Sequence, residues 1–369
     1  MTSRWLAVVG AGVALGVLAG CASDPVAVER RGTVAVRTID AARELRLSPE
    51  ELRTRYADRS VRDAAVRQAI DLLEDATQAG DPQMRANAYE ALEAAPATLA
   101  AVAARGLTDE NLGVRSIAAV AVGRAGVSDH AAALVAMLED ESPFVRASAE
   151  YALRAMGAAA ESTEIRDALL QTEQPGLRGH AALLAGELGD ATHIADLKEA
   201  AARQMNRASS LERRVVELQI SEALVKLGDE GQLGPIRAAL YPASPSDLEA
   251  TALAVQIVGE LGDRAMRGRL AQLSEATGPA GETLPAEIQA AIAISMAKLG
   301  DRGGWFIADQ LWEAQRFALR ADAAAIYGLS GRVEDLPKLR VLMNDRVGLV
   351  RVAAASGVLK SLTGNSRTR

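Results

Sequence analysis

Val114 to Val122 reads VRSIAAVAV, and Val145 to Leu153 reads VRASAEYAL. Each opens on an apolar residue followed by arginine, places alanine three residues after that arginine, and continues with small or branched apolar residues at a helical period. The same signature recurs in MRANAYEAL from Met84, LRGHAALLA from Leu177, LRADAAAIY from Leu319 and VRVAAASGV from Val350. The anchoring arginines are Arg85, Arg115, Arg146, Arg178, Arg320 and Arg351. Three further copies replace the arginine with Glu217, Thr251 and Gln289, in VELQISEALVKLGD, ATALAVQIVGELGD and IQAAIAISMAKLGD. Nine units result, spaced by 30, 31, 32, 39, 34, 38, 31 and 31 residues.

Self-similarity at just over thirty residues, helical in both halves, predicts antiparallel helix pairs stacked into a solenoid. The punctuation agrees. DPQMR, SPFVR and QPGLR each put proline three residues before the anchor, behind Asp81, Ser142 and Gln174 as helix caps, the last a poor one. LGD at Leu188, Leu227, Leu261 and Leu299 ends the second helix on glycine, where a left-handed cap is wanted. Order is expected to begin at LSPEEL, with Ser48 capping, Pro49 at the first helical position and Glu51 completing a capping box. Aromatic residues are only 3% of the chain, and no sustained alternation of a strand appears. The expectation is an all-α protein of about nine helix-pair repeats over residues 48–369, elongated in shape.

This pattern resembles HEAT repeats of the short bacterial type, related to those of phycobilisome lyases, over roughly residues 60 to 360. The resemblance implies a right-handed α-solenoid in which the anchor arginine braces the inter-helix turn, often through an acidic residue of a nearby unit. The replacements at Glu217, Thr251 and Gln289 put uniform bracing in question there. The 39- and 38-residue units carry the insertions RQMNRASSLERR and ATGPAGETLP, read as tolerated loops.

The N-terminus carries a different signal. MTSR is followed by an apolar stretch from Trp5 to Leu18 and then by Leu18, Ala19, Gly20 and Cys21, the single cysteine of the chain. The run has the shape of an export signal, and its glycines argue against a spanning helix. The four residues resemble the lipobox of bacterial lipoproteins. That resemblance implies lipidation of Cys21 through its thiol, cleavage before it, and stable attachment by more than one acyl chain. Residues 1–20 are then a signal peptide and residues 21–47 a lipidated, flexible tether. Ala22, rather than aspartate, leans toward the periplasmic face of the outer membrane in a cell with two membranes.

The chain carries 41 Lys and Arg against 48 Asp and Glu, a net charge of -7. An acidic surface disfavours nucleic acid as a partner. Once Cys21 is lipidated no thiol remains for disulfides or metals. His130, His180 and His193 show no metal-ligand spacing, no serine lies in a nucleophile elbow, and GAGVALG at Gly10 follows no strand. The expectation is therefore no catalytic activity, no cofactor, no metal, and histidines in surface or capping roles.

Binding is the better reading. Positions two and nine after the anchor lie about 20° apart around a helix. The ninth is charged in Arg124, Glu187, Lys226, Glu260, Lys298 and Lys360, so this stripe is expected to face water on the concave side. Ile117 and Leu253 share it, with Val120, Leu183 and Ile294 nearby, as candidates for a peptide or helix groove. A second candidate is GGWFIADQLWEAQRF, Gly303 to Phe317. Read as one helix, it puts Ile307, Leu311, Ala314 and Ala318 on an apolar face flanked by Phe306 and Phe317, with Trp305 and Trp312 on the opposite, polar side. The two tryptophans are either partner anchors or packing against a neighbouring unit. The reading is a lipid-anchored protein-binding scaffold of the cell envelope. Its alternatives are a lyase-like accessory protein acting on a bound ligand or pigment, and a purely structural spacer.

Overall fold

In the computed structural model residues 41–158, 162–242, 247–276 and 283–363 are described. After a helical turn at 41–44, the chain forms α1 (Pro49–Ala57) and then nine helix pairs. The first helices of the pairs are α2 (Arg59–Ala76), α4 (Pro96–Leu107), α6 (Ala131–Met137), α8 (Glu164–Leu170), α10 (His193–Ala202), α12 (Leu233–Ala238), α14 (Arg267–Ser274), α16 (Gly303–Leu311) and α18 (Leu336–Leu342). The second helices, which carry the anchors, are α3 (Pro82–Ala91), α5 (Leu112–Ala125), α7 (Pro143–Ala155), α9 (Pro175–Leu188), α11 (Ser210–Lys226), α13 (Leu248–Leu261), α15 (Ala286–Lys298), α17 (Phe317–Ser330) and α19 (Gly348–Thr363). The all-α solenoid of helix pairs read from the sequence is the architecture, and no β-strand occurs among the described residues.

Local chemistry sets the helix ends. Ser48 and Glu51 form the expected capping box, and Asp81 and Asn111 cap α3 and α5. Ser142 does not cap α7 with its side chain; its own N–H donates to Asp140. The glycines of the LGD motifs all adopt the left-handed conformation, as at Gly189 and Gly262 (φ 68° and 66°), where a side chain would be strained.

The anchor-bearing helices form a continuous inner layer, and their packing alternates. Gly123, Gly186, Gly259 and Gly328 each lie eight residues after an anchor, on every second inner helix. A Cβ there would stand 2.7, 2.8, 2.9 and 2.5 Å from the Cα of Ala152, Ala223, Ser295 and Gly357 on the next helix. Bare glycine faces lets α5 meet α7, α9 meet α11, α13 meet α15 and α17 meet α19 almost backbone to backbone. Residues 147–153, 177–186, 318–328 and 352–359 are consequently buried without interruption.

The two ends do not stay apart. α19 packs on α2 and α3, as an inner helix packs on the unit that follows it, and Met84 of α3 lies against Gly348. α1 fits against the turn Val333–Asp335 of the last unit. Arg53 pairs with Glu334 at 2.6 Å, and Glu44 pairs with Arg340. One apolar core therefore runs from Leu52 to Leu224 and resumes from Ala290 to Leu359, joined across this closure, while a second core lies around α12 to α15. The expected elongated stack is corrected to a closed ring. Residues 41–47, assigned to the tether by the sequence reading, are packed into that closure, with Ala41 and Glu44 buried.

Candidate functional site

The anchor arginines form a structural ladder. Arg115 sends Nη1 to the carbonyls of Asp109 and Glu110 in the turn before it, and Nε and Nη2 to the carboxylate of Asp140 in the next unit. Arg85 treats Asp109 in the same way, and Arg320 treats Asp345. The acid also accepts an N–H two residues on, so one carboxylate shapes the turn and receives the brace. Arg146 reaches Glu164 instead, because Thr172 stands six residues before the next anchor, where Asp109, Asp140 and Asp345 stand. Arg178 is fully buried and uses carbonyls alone, those of Thr172, Ala200 and Arg203; the last two close α10, where the helix dipole favours a cation. Where the anchor is missing, arginines of the first helices take over: Arg237 binds Asp263 through two bonds, Arg269 binds the carbonyl of Leu240, and Arg267 that of Leu299.

The expected concave groove is not open. Val120, Leu183, Leu253 and Ile294 are all buried and Ile117 is half-buried against the core. They share the register predicted for them, but the close seams and the ring closure leave no free surface over them. Five of the six stripe charges are half-buried and paired rather than solvated, and only Lys360 is exposed as expected. Arg124 lies between Glu93 at 3.3 Å and Glu187 at 3.5 Å, Lys226 joins Glu187 and Glu222, and Lys298 joins Glu260. Burial pushes the Glu93 carboxyl up to about 7, against the pull of Arg124. Glu93 was missed from sequence because it joins the network only through Arg124 of the next unit, whereas Glu222 and Lys226 stand four residues apart on one helix, a readable signal.

Two histidines expected at the surface are interior. His180 Nε2 meets Ser148 Oγ at 2.9 Å, and Ser148 meets Ser116 at 2.7 Å, a polar thread across α9, α7 and α5. Burial lowers the His180 pKa to about 4, so the ring is neutral at physiological pH. His193 is also buried, and His130 bonds the carbonyl of Ala100. Asp322, five residues past the start of α17, is buried with no hydrogen-bond partner among the described residues. Burial, reinforced by Glu287, raises its carboxyl to about 7.

The Gly303 to Phe317 segment is not one helix. α16 ends at Leu311 and α17 starts at Phe317, so Ala314 and Ala318 do not continue the face of Ile307 and Leu311. Gly304, Ala308 and Leu311 face the core. Trp305 and Trp312 lie a quarter-turn away, partly buried against it, under cations from the last unit: Arg332 sits 4.7 Å from the Trp305 ring and Lys338 6.0 Å from Trp312. Phe306, read as a flank of the apolar face, points outward instead and is 70% exposed. The helical angle explains this, since Phe306 is about 200° from Gly304 on a 100° step.

Cys21 and the signal segment lie outside the described residues, as do Gly278, Pro279 and Gly281 of the second insertion. The first insertion is held by buried Met205 and Ala208 and by a capping box of Ser209 and Glu212. Among the described residues no helix is long and apolar enough to cross a membrane, and no three His, Cys, Asp or Glu side chains group to hold a metal.

Residues 70–154 match the family of HEAT repeats. No curated protein sequence matches the chain. Among solved structures, the complex of CpcE and CpcF of phycocyanin lyase from Nostoc sp. PCC7120 is similar at 16% identity and TM-score 0.40, over 71% of this chain and 93% of that one. Human deoxyhypusine hydroxylase in complex with glycerol is similar at 16% identity and TM-score 0.34, over 73% and 98%. Kap121p bound to Nup53p is similar at 12% identity and TM-score 0.24, over 86% and 42%. Residues 70–154 thus carry HEAT repeats, and the other described residues form helix pairs of the same all-α solenoid architecture.

Proposed function

We propose that the chain is a lipid-anchored, non-enzymatic protein-binding scaffold of the cell envelope, attached through Cys21 and presenting its outer surface to a protein partner. The binding half of the reading is carried by Phe306, an aromatic side chain 70% exposed beside two tryptophans already in contact with cations. Such outward aromatic groups on a rigid support are typical anchors of protein interfaces. With the inner positions buried, the outer face carrying Phe306 is the surface this reading uses. The anchoring half is supported by Leu18, Ala19, Gly20 and Cys21.

Each half has its own test. Cys21→Ser is expected to abolish incorporation of a labelled fatty acid and leave the precursor uncut; unchanged labelling would remove the anchor from the reading. A photo-reactive phenylalanine analogue at position 306 is expected to cross-link one protein in intact cells, where the same group at exposed Arg59 does not. Equal cross-linking from both positions, or none from 306, would remove the interface.

A further inference from the structure

We propose that residues 41–57 form a mechanical latch, which closes the outer layer of the ring and is the first element to yield when the N-terminus is pulled. Among the described residues α1 stands outside the nine anchor-bearing pairs. It sits against α2 on one side and the turn Val333–Asp335 on the other, a wedge between the first unit and the last. Polar contacts hold most of it: Arg62 of α2 donates to the carbonyls of Tyr56 and Ala57 at its C-terminal end. Glu44, 3% exposed, accepts from Arg55 Nε at 2.6 Å, from Tyr56 Oη at 2.8 Å and from Arg340. Arg53 adds its bond to Glu334, and Leu52 and Tyr56 are the buried side chains of α1. Burial raises the Tyr56 pKa to about 12, so its hydroxyl stays a donor to Glu44.

The wedge is also bordered by water on one side. Shallow depressions open to solvent lie beside it, one lined by Leu47, Thr54, Arg55 and Val61 among others and another by Arg55, Val61, Gln68 and Arg340. On that side no described neighbouring helix covers it. The units themselves are held differently, by glycine-lined seams and by the arginine ladder, whereas α1 buries only Leu52 and Tyr56.

Its position decides its role. Ala41 is where the chain enters the described fold, and Glu44 lies three residues further on. Tension on the N-terminal segment therefore reaches the Glu44 bonds before any repeat, and peels them one at a time. Release frees Arg340 and Glu334 and uncovers the α2 side of the cleft, while α19 remains packed on α2 and α3. This inference borrows from the scaffold reading only the lipid at Cys21 as the source of load.

The test is a single-molecule force ramp on the full chain, purified without lipid, held between Cys21 and a cysteine placed at exposed Arg67 on α2. A discrete early extension is expected, of roughly 55 Å for 17 residues at about 3.3 Å each, before any larger unfolding event. Glu44→Gln is expected to lower the force of that step or to leave it already open, and Arg53→Ala to lower it by less. Extension only together with a larger unfolding event, or an unchanged force in both variants, would overturn the latch. Loss of fatty-acid labelling would remove the anchor without moving this step, so the two readings fail separately.

Discussion

Arg115 and Asp140, 25 residues apart, are joined by two hydrogen bonds of 2.8 and 3.0 Å, and the carbonyl of Asp140 accepts in turn from Arg146. Asp109 and Asp345 act in the same way, each receiving one anchor on its carboxylate and the next on its carbonyl. Burial pushes the Asp140 carboxyl up, but Arg115 and the Ser142 N–H hold it below the usual range. Asp140→Ala leaves a largely buried guanidinium unpaired and is expected to cost about 3 kcal/mol in denaturant titration. Its neighbour Glu141, 91% exposed, gives the control, with Glu141→Ala expected within about 0.5 kcal/mol of the parent.

The alternating seams predict a position-specific response to one methyl group. Gly328→Ala drives a Cβ to 2.5 Å from Gly357 and is expected to destabilise by about 1 to 3 kcal/mol. Gly268→Ala, in a helix with open space around it, is expected to be neutral or to stabilise slightly. Melting temperatures of the two variants side by side are the measurement.

Asp322 predicts a pH signature. Its folded pKa of about 7 lies above the ordinary 3.8, so the folded chain holds a proton that the unfolded chain releases. The favourable contribution is complete below about pH 3.8 and is lost as pH rises through about 7. Asp322→Asn is therefore expected to raise stability at pH 8, by on the order of 4 kcal/mol, and to match the parent at pH 4. An equal effect at both pH values would show that the carboxyl is not the cause.

The aromatic segment separates packing from binding. Trp305→Ala is expected to lower stability by about 2 kcal/mol, because the ring fills the space under Arg332. Phe306→Ala is expected to leave the melting temperature unchanged and, where residue 306 anchors a partner, to abolish that contact. Thermal melts with the cross-linking assay described above read both.

Much of this fold was legible in local signals. The arginine, the alanine three residues on, the proline before and the glycine after each answer to one unit or its neighbour, so recurrence in three to seven of the nine units made them readable. The alternation of Gly123, Gly186, Gly259 and Gly328 was equally present but has a period of two units, and comparison of single units hides it. The closure was not legible. Glu44 and Arg340 are 296 residues apart, and neither belongs to the repeat pattern. The candidate groove failed for the same reason: Val120, Leu183, Leu253 and Ile294 lie in the predicted register, but whether that register meets water depends on curvature accumulated over all nine units.

Closure also constrains how such a chain can change. An open array tolerates gain or loss of a unit at either end, since each repeat answers only to its neighbours. Here α19 must arrive at α2 with the correct tilt and height, so the rotation per unit multiplied by the number of units has to return to its start. A duplicated or deleted repeat shifts Arg340 away from Glu44 and α19 off α2 together. Copy number in this protein is accordingly a geometric constant rather than an adjustable length.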